Sequence, residues 1–440
     1  MPTPMRNFAA LTAAGLAISC LTMTAAHADT YDVSYAPTRA ATFNAAGVVH
    51  PTDIAVDPSP AATDDPSKFA LAETNTTFSR VTVLRNNPFN STGYGLADGS
   101  ILDTSRSGLS GPQGISYDAK GRIWVADSSS ATVSVFPKDT SSSSPYTTIG
   151  GMKNTGLSSP SDVAVAANGD VYVANINSTS TIRVFGAGRG GDIEPIKTID
   201  SGINNPTSIV IDSKGLIYVA NLAGGNGNEN IAIYAANTES STPPIRTITG
   251  ANTHLHGASS LALDSSDNLY VTNATDGADG SVTVFAPGTS GDAFPIKRLS
   301  GGNTGIKYPT GVAVDTNRNV HVVNEYSGNA ASEQSVFTFN PLVPLTKPPA
   351  ARSLKISGSS TSSTRTVSWT APADNGGTPI TKYRVIVKSG TKTLYDRTTT
   401  SRSYKLLRSK LKSGTNKVYV YAFNKVGSSP SISKTFTVKK

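Results

Sequence analysis

One phrase recurs six times along this chain, and it limits the possible fold more than any other feature. The phrase is Pro-x-x-aliphatic-x-aliphatic-Asp, a short turn of Gly and Asn, and then aliphatic-aromatic-Val-Ala ending in Asn or Asp. Five clear copies read PQGISYDAKGRIWVAD (112–127), PSDVAVAANGDVYVAN (160–175), PTSIVIDSKGLIYVAN (206–221), SSLALDSSDNLYVTN (259–273) and PTGVAVDTNRNVHVVN (309–324). A degenerate copy precedes them, PTDIAVD (51–57) answered by FALAETN (69–75). Successive copies begin roughly 46 to 61 residues apart, so one supersecondary unit is repeated along the chain.

Each repeat is expected to form four short antiparallel strands. In runs such as DVAVA and VYVAN the apolar side chains recur at every second position, and the runs end at Gly, Asn or Asp. A third strand is predicted at TVSVF (132–136), TIRVF (181–185), IAIY (231–234) and SVTVF (281–285). A fourth contains a Pro-Ile-Lys or Pro-Ile-Arg step, as in PIKTI (195–199), PIRTI (244–248) and PIKRL (295–299). Six such units predict an all-β chain whose main domain is a six-bladed β-propeller.

The last repeat lacks its fourth strand, since SVFTFNP (335–341) runs straight into a proline-rich stretch. The segment APTRAATF (36–43) carries the same Pro-x-Arg step ahead of the first repeat. We therefore expect the N-terminal segment to supply the outer strand of blade six. Such closure would leave no unpaired strand edge between the ends of the ring. The competing interpretation is a disordered leader.

The repeated phrase resembles the NHL-repeat family of propellers over roughly residues 36 to 340. The resemblance implies the propeller fold but no single activity, because propellers of this type include binding scaffolds, lyases and lactonases. Lactonase-like propellers typically begin with Glu-Gly-Pro at their metal site. This chain has Pro51-Thr52-Asp53 instead, which disfavours a lactonase.

The N-terminus has the features of a bacterial secretory signal over residues 1–28. Arg6 is its lone charge, a mildly apolar stretch runs from Phe8 to Met23, and Ala26-His27-Ala28 is a small-x-small cleavage site. Lipidation of Cys20 is an alternative. Cleavage after Ala28 would leave a mature chain without cysteine, and no other apolar span is present, so we expect a secreted extracellular protein without a transmembrane segment.

The chain changes character after residue 340. Residues 29–340 are assigned to the propeller, and PLVPLTKPPA (341–350) is a proline-rich linker that favours an extended spacer. Residues 351–440 resemble a fibronectin type III domain. The resemblance implies an immunoglobulin-like β-sandwich with Trp369 inward on strand B, Tyr383 and Val385 on strand C, and residues 418–422 on strand F. Where it implies a tyrosine early in strand F, this chain has Asn416.

Charge is divided between the two domains. Residues 350–440 hold 18 Lys and Arg against two Asp, a net charge of +16, whereas residues 29–349 hold 19 Lys and Arg against 28 Asp and Glu, a net charge of −9. So strong a positive field favours an anionic partner, such as a cell-envelope polymer, an acidic glycan or a membrane surface. The residues predicted to bind it are Lys405, Arg408, Lys410 and Lys412. No motif predicts sequence-specific nucleic-acid binding. Docking of the two domains on each other is the alternative.

Departures from the repeat mark the candidate ligand site. Ahead of the innermost strands, where other blades have Ser, Gly or Asn, blade one has a histidine, blade five has two, and blade six has Lys-Tyr. Two aspartates stand at the third place of the phrase, close to the same channel entrance. The predicted ligand-binding residues are His50, Asp53, Asp162, His254, His256, Lys307 and Tyr308. Histidines and carboxylates can bind metal or transfer protons, but no fixed ligand spacing is present. We therefore assign no catalytic or metal residue and no cofactor, and calcium or zinc remains an alternative.

Together these features predict an exported, monomeric and non-catalytic binding or scaffold protein. Association with the cell wall is one alternative for its location. Its propeller face would bind a polar ligand, either a glycan or a protein, while the basic sandwich attaches to an anionic envelope polymer. The alternative is a propeller enzyme of the lyase or lactonase type, working at the channel mouth with His50, His254 or His256.

Overall fold

The computed structural model describes residues 31–42, 51–58, 69–74, 79–86, 94–102, 107–138, 144–151, 153–176, 179–222, 229–276, 280–324 and 335–439. Six sheets form a ring, and a two-sheet sandwich follows them. The signal segment, Cys20 and His50 lie outside the described residues. None of the helices in the described ranges has the length and apolar character needed to cross a membrane.

The strands follow the repeats. Two strands precede the first blade, β1 (Asp32–Val33) and β2 (Arg39–Thr42). Blade one has β3 (Pro51–Val56), β4 (Phe69–Thr74), β5 (Ser79–Asn86) and β6 (Tyr94–Leu102), and blade two has β7 (Pro112–Tyr117), β8 (Ile123–Asp127), β9 (Thr132–Phe136) and β10 (Thr147–Gly150). Blade three has β11 (Pro160–Val165), β12 (Val171–Asn175), β13 (Thr181–Phe185) and β14 (Lys197–Ile199), and blade four has β15 (Pro206–Ile211), β16 (Ile217–Asn221), β17 (Asn230–Tyr234) and β18 (Arg246–Ile248). Blade five has β19 (Ala258–Leu263), β20 (Leu269–Asn273), β21 (Ser281–Phe285) and β22 (Lys297–Ser300), and blade six has β23 (Pro309–Val314), β24 (Val320–Asn324) and β25 (Ser335–Phe339).

The N-terminal segment closes the ring as the sequence predicted. Strand β2 pairs antiparallel with β25, with Arg39 opposite Thr338 and Thr42 opposite Ser335, and so becomes the outer strand of blade six. Strand β1, which the sequence did not predict, pairs in parallel with β22 on blade five. Arg298 of β22 reaches Asp32 of β1 at 3.3 Å. A two-residue strand has too few positions to show an alternating pattern.

Recurring polar residues of the phrase satisfy the backbone of the turns. In blade two, Asp118 Oδ1 accepts hydrogen bonds from the amides of Lys120 and Arg122, and its Oδ2 accepts one from the Trp124 indole. The equivalent aspartates of blades four and five bond in the same way, including one bond from the tyrosine of the second strand. Blades two, four, five and six thus repeat the same turn chemistry, in which a short carboxylate accepts hydrogen bonds from nearby amides, whereas blade three has Ala166 at this position.

Aromatic side chains fill the space between blades. They end the third strand of blades two to six and are fully buried: Phe136, Phe185, Tyr234, Phe285 and Phe339. Aliphatic residues of the second strands pack beside them, so each blade buries its faces against its neighbours. This burial of apolar area is the main stabilising contribution to such a ring.

The C-terminal domain is a sandwich. It comprises β26 (Arg352–Ser357), β27 (Thr364–Thr370), β28 (Lys382–Ser389), β29 (Lys392–Thr399), β30 (Ser403–Leu407), β31 (Gly414–Asn424), β32 (Gly427–Ser428) and β33 (Ile432–Val438). One sheet has the order β26-β27-β30 and the other β29-β28-β31, with β32 and β33 on β31. Trp369 is buried between them, 5.3 Å from the ring of Tyr383.

The linker is held by both domains. The Asn424 side-chain amide donates to the carbonyl oxygen of Thr346 at 2.7 Å, and Arg318 of the propeller donates to that of Val343 at 3.2 Å. The Lys425 ammonium reaches Asn317 at 2.7 Å. These propeller residues lie in the turn between the first two strands of blade six. The sandwich therefore docks on the face where the innermost strands end.

Candidate functional site at the channel mouth

A belt of hydroxyl groups surrounds the entrance where the innermost strands begin. Each of these six strands pairs with the second strand of its blade, with a register shift between its first and third residues. Its second residue therefore has no opposite residue on that strand. In five blades that residue is Ser or Thr, and its hydroxyl donates to the carbonyl oxygen that begins the next blade's innermost strand. The pairs are Thr52 to Pro112, Ser161 to Pro206, Thr207 to Ala258, Ser259 to Pro309 and Thr310 to Pro51, at 2.6–3.1 Å.

Blade two interrupts the belt. It has Gln113 at the second position, and this side chain lines the mouth. Its amide makes no hydrogen bond to any residue in the described ranges, and it is partly exposed. Among the described residues, Gln113 is therefore the belt position whose donor and acceptor groups have no partner at the channel entrance.

A layer of polar side chains lies below the belt, at the third position of the innermost strands. Asp162 accepts hydrogen bonds from the Ser208 hydroxyl at 2.7 Å and the Ile209 amide at 2.8 Å. Asp53 accepts hydrogen bonds from the Ile115 amide at 3.0 Å and the Ser260 hydroxyl at 3.2 Å. Both carboxylates are buried, and each accepts hydrogen bonds from at least one other blade.

Two glycines make room for these carboxylates. A Cβ atom on Gly114 would lie 2.5 Å from the Asp162 carboxylate, and one on Gly311 would lie 3.1 Å from that of Asp53. Because Gly311 has no side chain, Asp53 of blade one can reach Ser260 of blade five past blade six. The layer divides the channel into a mouth cavity and a second cavity toward the sandwich side, each of about 330 Å³.

Burial changes the acidity of the two carboxyl groups. Desolvation raises the pKa of Asp162 and, together with repulsion from Asp162, raises the pKa of Asp53 well above its usual range. Two carboxylates in one low-dielectric layer resist simultaneous ionisation. The floor of the mouth therefore favours a bound proton or a ligand that donates hydrogen bonds.

Three of the predicted ligand-binding residues, His256, Lys307 and Tyr308, are exposed around the entrance, whereas His254 lies elsewhere. His256 and Lys307 are exposed, and their backbone amides donate at 3.1 Å to Asn273 and Asn324, which end the second strands. Tyr308 is also exposed, and its backbone φ is 45°. His256 adjoins Gly257, which lines the mouth. These side chains surround the entrance without contributing to its described lining.

His254 requires a correction of its predicted position. Its Nε2 lies 2.9 Å from the Tyr31 hydroxyl, and its ring packs near Phe294. Tyr31 and Phe294 flank the outermost strands of blade five, so His254 lies at the outer edge of that blade and not at the channel mouth. The short 3-10 turn Ala251–Thr253 ends at His254 in a left-handed conformation and redirects the chain. Desolvation lowers the pKa of His254.

Three of the four residues in the predicted basic cluster are exposed, and the fourth is held by backbone carbonyl groups. Lys405, Lys410 and Lys412 are exposed on the sandwich. The Arg408 guanidinium instead donates to the carbonyl oxygens of Thr361 and Lys439, both at 2.7 Å, and so fastens the chain end. Binding of a polyanion by this cluster stays a prediction, with three of its four residues free to take part.

Sequence reasoning missed Gln113. The signal was present, because five copies of the phrase have Ser or Thr at the second position and one has Gln. Its meaning depends on the register shift of the innermost strands, which the sequence pattern does not show. In the described ranges no cluster of three or more His, Cys, Asp or Glu is arranged to hold a metal ion.

Family comparisons agree with this architecture. A model of the NHL repeat matches residues 109–136 and 157–185, and a model of the fibronectin type III domain matches residues 347–439. The chain carries NHL repeats and a fibronectin type III domain. The first match covers blades two and three of the propeller, and the second covers the sandwich. No curated protein sequence matches the chain.

Solved structures similar to the chain include propellers and fibronectin domains. A candidate gluconolactonase is 12% identical, with 69% of this chain and 94% of that chain covered at a TM-score of 0.45. The extracellular domain of a candidate hybrid two-component system from B. thetaiotaomicron is 13% identical, with 90% and 56% covered at a TM-score of 0.39. Domains d3-d4 of rat CD45 are 14% identical, with 27% and 63% covered at a TM-score of 0.22. The chain spans only 17% of the titin kinase structure, with 21% of this chain covered at 23% identity and a TM-score of 0.19.

Proposed function

We propose that this protein is an exported, monomeric binding protein with two attachment points. Its NHL propeller binds a polar ligand, a glycan or a protein loop, at the channel mouth. Its fibronectin domain attaches to an anionic polymer of the cell envelope. An NHL propeller joined to a fibronectin domain is a combination that favours a binding or scaffold role outside the cell.

The observation that carries the proposal for the propeller is Gln113. Five belt hydroxyls join blades, whereas the Gln113 amide has no hydrogen-bond partner in the described part of the chain and lies beside a cavity of about 330 Å³. That volume lies at the small end of the usual range for ligand sites, roughly 300–1,000 Å³. The apolar side chains of Ile176 and Leu222 line the same cavity. An amide between apolar walls and a proton-favouring floor suits one sugar residue or one polar side chain.

The test uses a substitution that separates binding from stability. Gln113→Thr supplies the missing belt hydroxyl and removes the amide, so the unfolding temperature should stay equal or rise. A glycan array of envelope oligosaccharides would provide a probe, and calorimetry with the strongest binder should then show a loss of about tenfold, the worth of one or two hydrogen bonds. Thr207→Ala is the matched control, since it breaks the belt but keeps the amide. Wild-type affinity of Gln113→Thr would show that the ligand binds elsewhere.

The support for the second attachment point is the net charge of +16 on residues 350–440. Attraction between such a domain and a polyanion is screened by salt, because the Debye length falls from about 30 Å at 0.01 M to about 8 Å at physiological ionic strength. Binding of the protein to anionic envelope polymer should therefore weaken steeply as salt is added. Binding that does not respond to salt would contradict this part of the proposal.

An enzyme remains the alternative function, and the buried pair Asp53 and Asp162 is the observation that favours it. A carboxyl group with a raised pKa can act as a general acid or base near neutral pH. Metal analysis of the purified protein and an assay of lactone hydrolysis test this alternative. Turnover that Asp53→Asn abolishes would favour the enzyme over the binding protein.

A further inference from the structure

The outer face of one sheet of the fibronectin domain carries aromatic rings and lysines side by side. Strands β28 and β31 pair with Lys382 opposite Phe423 and Lys388 opposite Lys417. Their intervening residues, such as Val385 and Val420, point into the core. Alternate side chains of both strands therefore share the outer surface. We call this surface the aromatic–basic face and define it by Lys382, Lys388, Lys417, Tyr419, Tyr421 and Phe423.

The lysines of this face are held above the rings. The Lys417 ammonium lies 5.2 Å from the centre of the Tyr419 ring, and that of Lys388 lies 6.0 Å from the same centre. The Lys382 ammonium lies 5.5 Å from the centre of the Phe423 ring. Cation–π contacts of this kind restrict long side chains before any ligand arrives, so less rotamer freedom is lost on binding.

The face keeps most of its positive charge. One carboxylate, Asp396, adjoins it and is engaged by Arg384 through two hydrogen bonds of 2.7 and 2.6 Å. The three lysines of the face make no ion pair with any residue in the described part of the chain. Lys382 and Lys417 are exposed, although the domain is docked on the propeller.

Hydroxyl groups border the same surface. In the neighbouring strands Ser433 lies opposite Tyr419 and Thr435 lies opposite Lys417, and both are exposed. Thr398 lies opposite Arg384 on β29, the strand that borders β28 at the other edge of the face. The face thus offers cations, half-buried rings and hydroxyl groups on alternate residues of four adjacent strands.

From this arrangement we infer that the aromatic–basic face is the surface on which the fibronectin domain binds an acidic polysaccharide chain. Ammonium groups match the carboxylates of such a polymer, rings match the apolar faces of sugar rings, and hydroxyl groups match sugar hydroxyls. A row of rings at every second residue, roughly 7 Å apart along one strand, suits a linear polymer. The inference rests on the proposed attachment to anionic polymer and places it away from Lys405, Lys410 and Lys412.

Two triple variants of equal charge test the inference. The face variant combines Lys382→Gln, Lys388→Gln and Lys417→Gln, and the control variant combines Lys405→Gln, Lys410→Gln and Lys412→Gln. Both remove three positive charges from exposed or partly exposed lysines of the full-length protein, so a diffuse field would weaken equally. With immobilised polygalacturonate at low salt, the face variant should lose on the order of tenfold more affinity than the control. Equal losses, or a larger loss in the control, would overturn the inference.

A second variant tests whether the aromatic rings contribute to binding separately from the positive charges. Tyr419→Thr keeps every positive charge and a residue suited to a strand, and it removes the ring beneath Lys388 and Lys417. Its affinity for polygalacturonate should fall several-fold although its net charge equals that of the wild type. An unchanged affinity in a variant that melts at the wild-type temperature would contradict a role for the rings.

Two other probes identify the occupant. A single-stranded DNA oligonucleotide and phosphatidylglycerol vesicles carry the same sign of charge, and we expect weaker binding of both than of polygalacturonate. Preference for either one would overturn the polysaccharide assignment. Failure of the wild type to bind any of the three polyanions would instead reject the proposed attachment itself, which distinguishes the two failures.

Discussion

At the scale of single residues, Asn416 performs a task that the family resemblance assigns to a tyrosine. Its side-chain amide is fully buried and donates to the carbonyl oxygens of Lys412 at 2.8 Å and Gly414 at 3.1 Å. The tyrosine corner of immunoglobulin-like domains makes a comparable bond to backbone a few residues upstream. The shorter Asn416 amide therefore holds the start of β31 against the preceding loop through these two hydrogen bonds.

Replacement of Asn416 by Ala should destabilise the fibronectin domain. Two carbonyl oxygens would lose the buried Asn416 amide that donates to them, which is expected to lower the free energy of unfolding by about 1–3 kcal/mol. Denaturant unfolding followed by the fluorescence of Trp369 measures the loss. Thr415→Ala, at the exposed neighbouring residue, should change it little. Equal stability of Asn416→Ala and Thr415→Ala would remove this account of the corner.

Asp162 makes stability depend on pH. Its burial raises the pKa to about 6 in the folded protein, so folding takes up a proton. The stabilising contribution is complete below the unfolded pKa, near 4, and is lost as pH rises through about 6. Relative to Asp162→Asn, the wild type should lose stability over this range, by at most about 1.4 kcal/mol per pH unit.

Thermal unfolding of both proteins from pH 4 to 7 measures this difference. Asp200→Asn, at an exposed carboxylate, controls for the general loss of one negative charge. A difference between the wild type and Asp162→Asn that stays constant over the range would show that the buried layer does not take up a proton on folding.

At the scale of elements, the first described segment stabilises two blades at once. Strand β1 covers an edge of blade five, and β2 supplies the outer strand of blade six. Arg298 joins β1 to the propeller, because it pairs with Asp32 and also with Asp276 at 2.8 Å. Without this segment, β22 and β25 would expose backbone groups at the sheet edge.

Deletion of residues 29–44 should therefore lower both the unfolding temperature and the solubility of the protein. The effect should exceed that of deleting the whole fibronectin domain, because the ring itself would be opened. Differential scanning calorimetry and light scattering at matched concentrations measure the two effects. A deletion product that is monomeric and as stable as the parent would contradict the role of this segment.

At the scale of the whole molecule, the joint between the domains is tightly packed around Arg318. This side chain is buried, lies 3.2 Å from the Asp264 carboxylate, and donates to the carbonyl oxygen of Val343. Gly377 of the fibronectin domain lies against its guanidinium group, and the Ser265 hydroxyl donates to the carbonyl oxygen of Gly377. Because the joint is on the face opposite the mouth, the docked domain leaves the mouth open.

Gly377→Ala should loosen this joint. A Cβ atom there would lie 2.2 Å from the guanidinium carbon of Arg318, so either this buried side chain leaves its partners or the two domains move apart. Small-angle scattering should show a larger maximum dimension, and limited proteolysis should cut the linker faster. Gly390→Ala is the matched control, since both glycines have positive φ but Gly390 has open space around it. Identical scattering of the two variants would show that the domains do not depend on this contact.

The repeating parts of this protein could be predicted from its sequence. The strands, the six blades and the closing role of the N-terminal segment follow from the repeated phrase, its alternation and its turn residues, whereas the sandwich follows from the resemblance to a fibronectin type III domain. The inward position of Trp369 was predictable from that resemblance. Local patterns determine local structure, and the repetition of the pattern extends it to the ring.

The residues that face the channel and the place where the domains meet could be read only from the folded chain. The role of Gln113 depends on hydroxyl groups of other blades, and the burial of Asp53 and Asp162 depends on glycines elsewhere in the ring. His254 lies at an outer edge against Tyr31 and Phe294, and the joint brings together Arg318 and Gly377, which are distant in sequence. Such contacts arise from the closure of the ring and the docking of its neighbour, and no periodicity in the sequence encodes them.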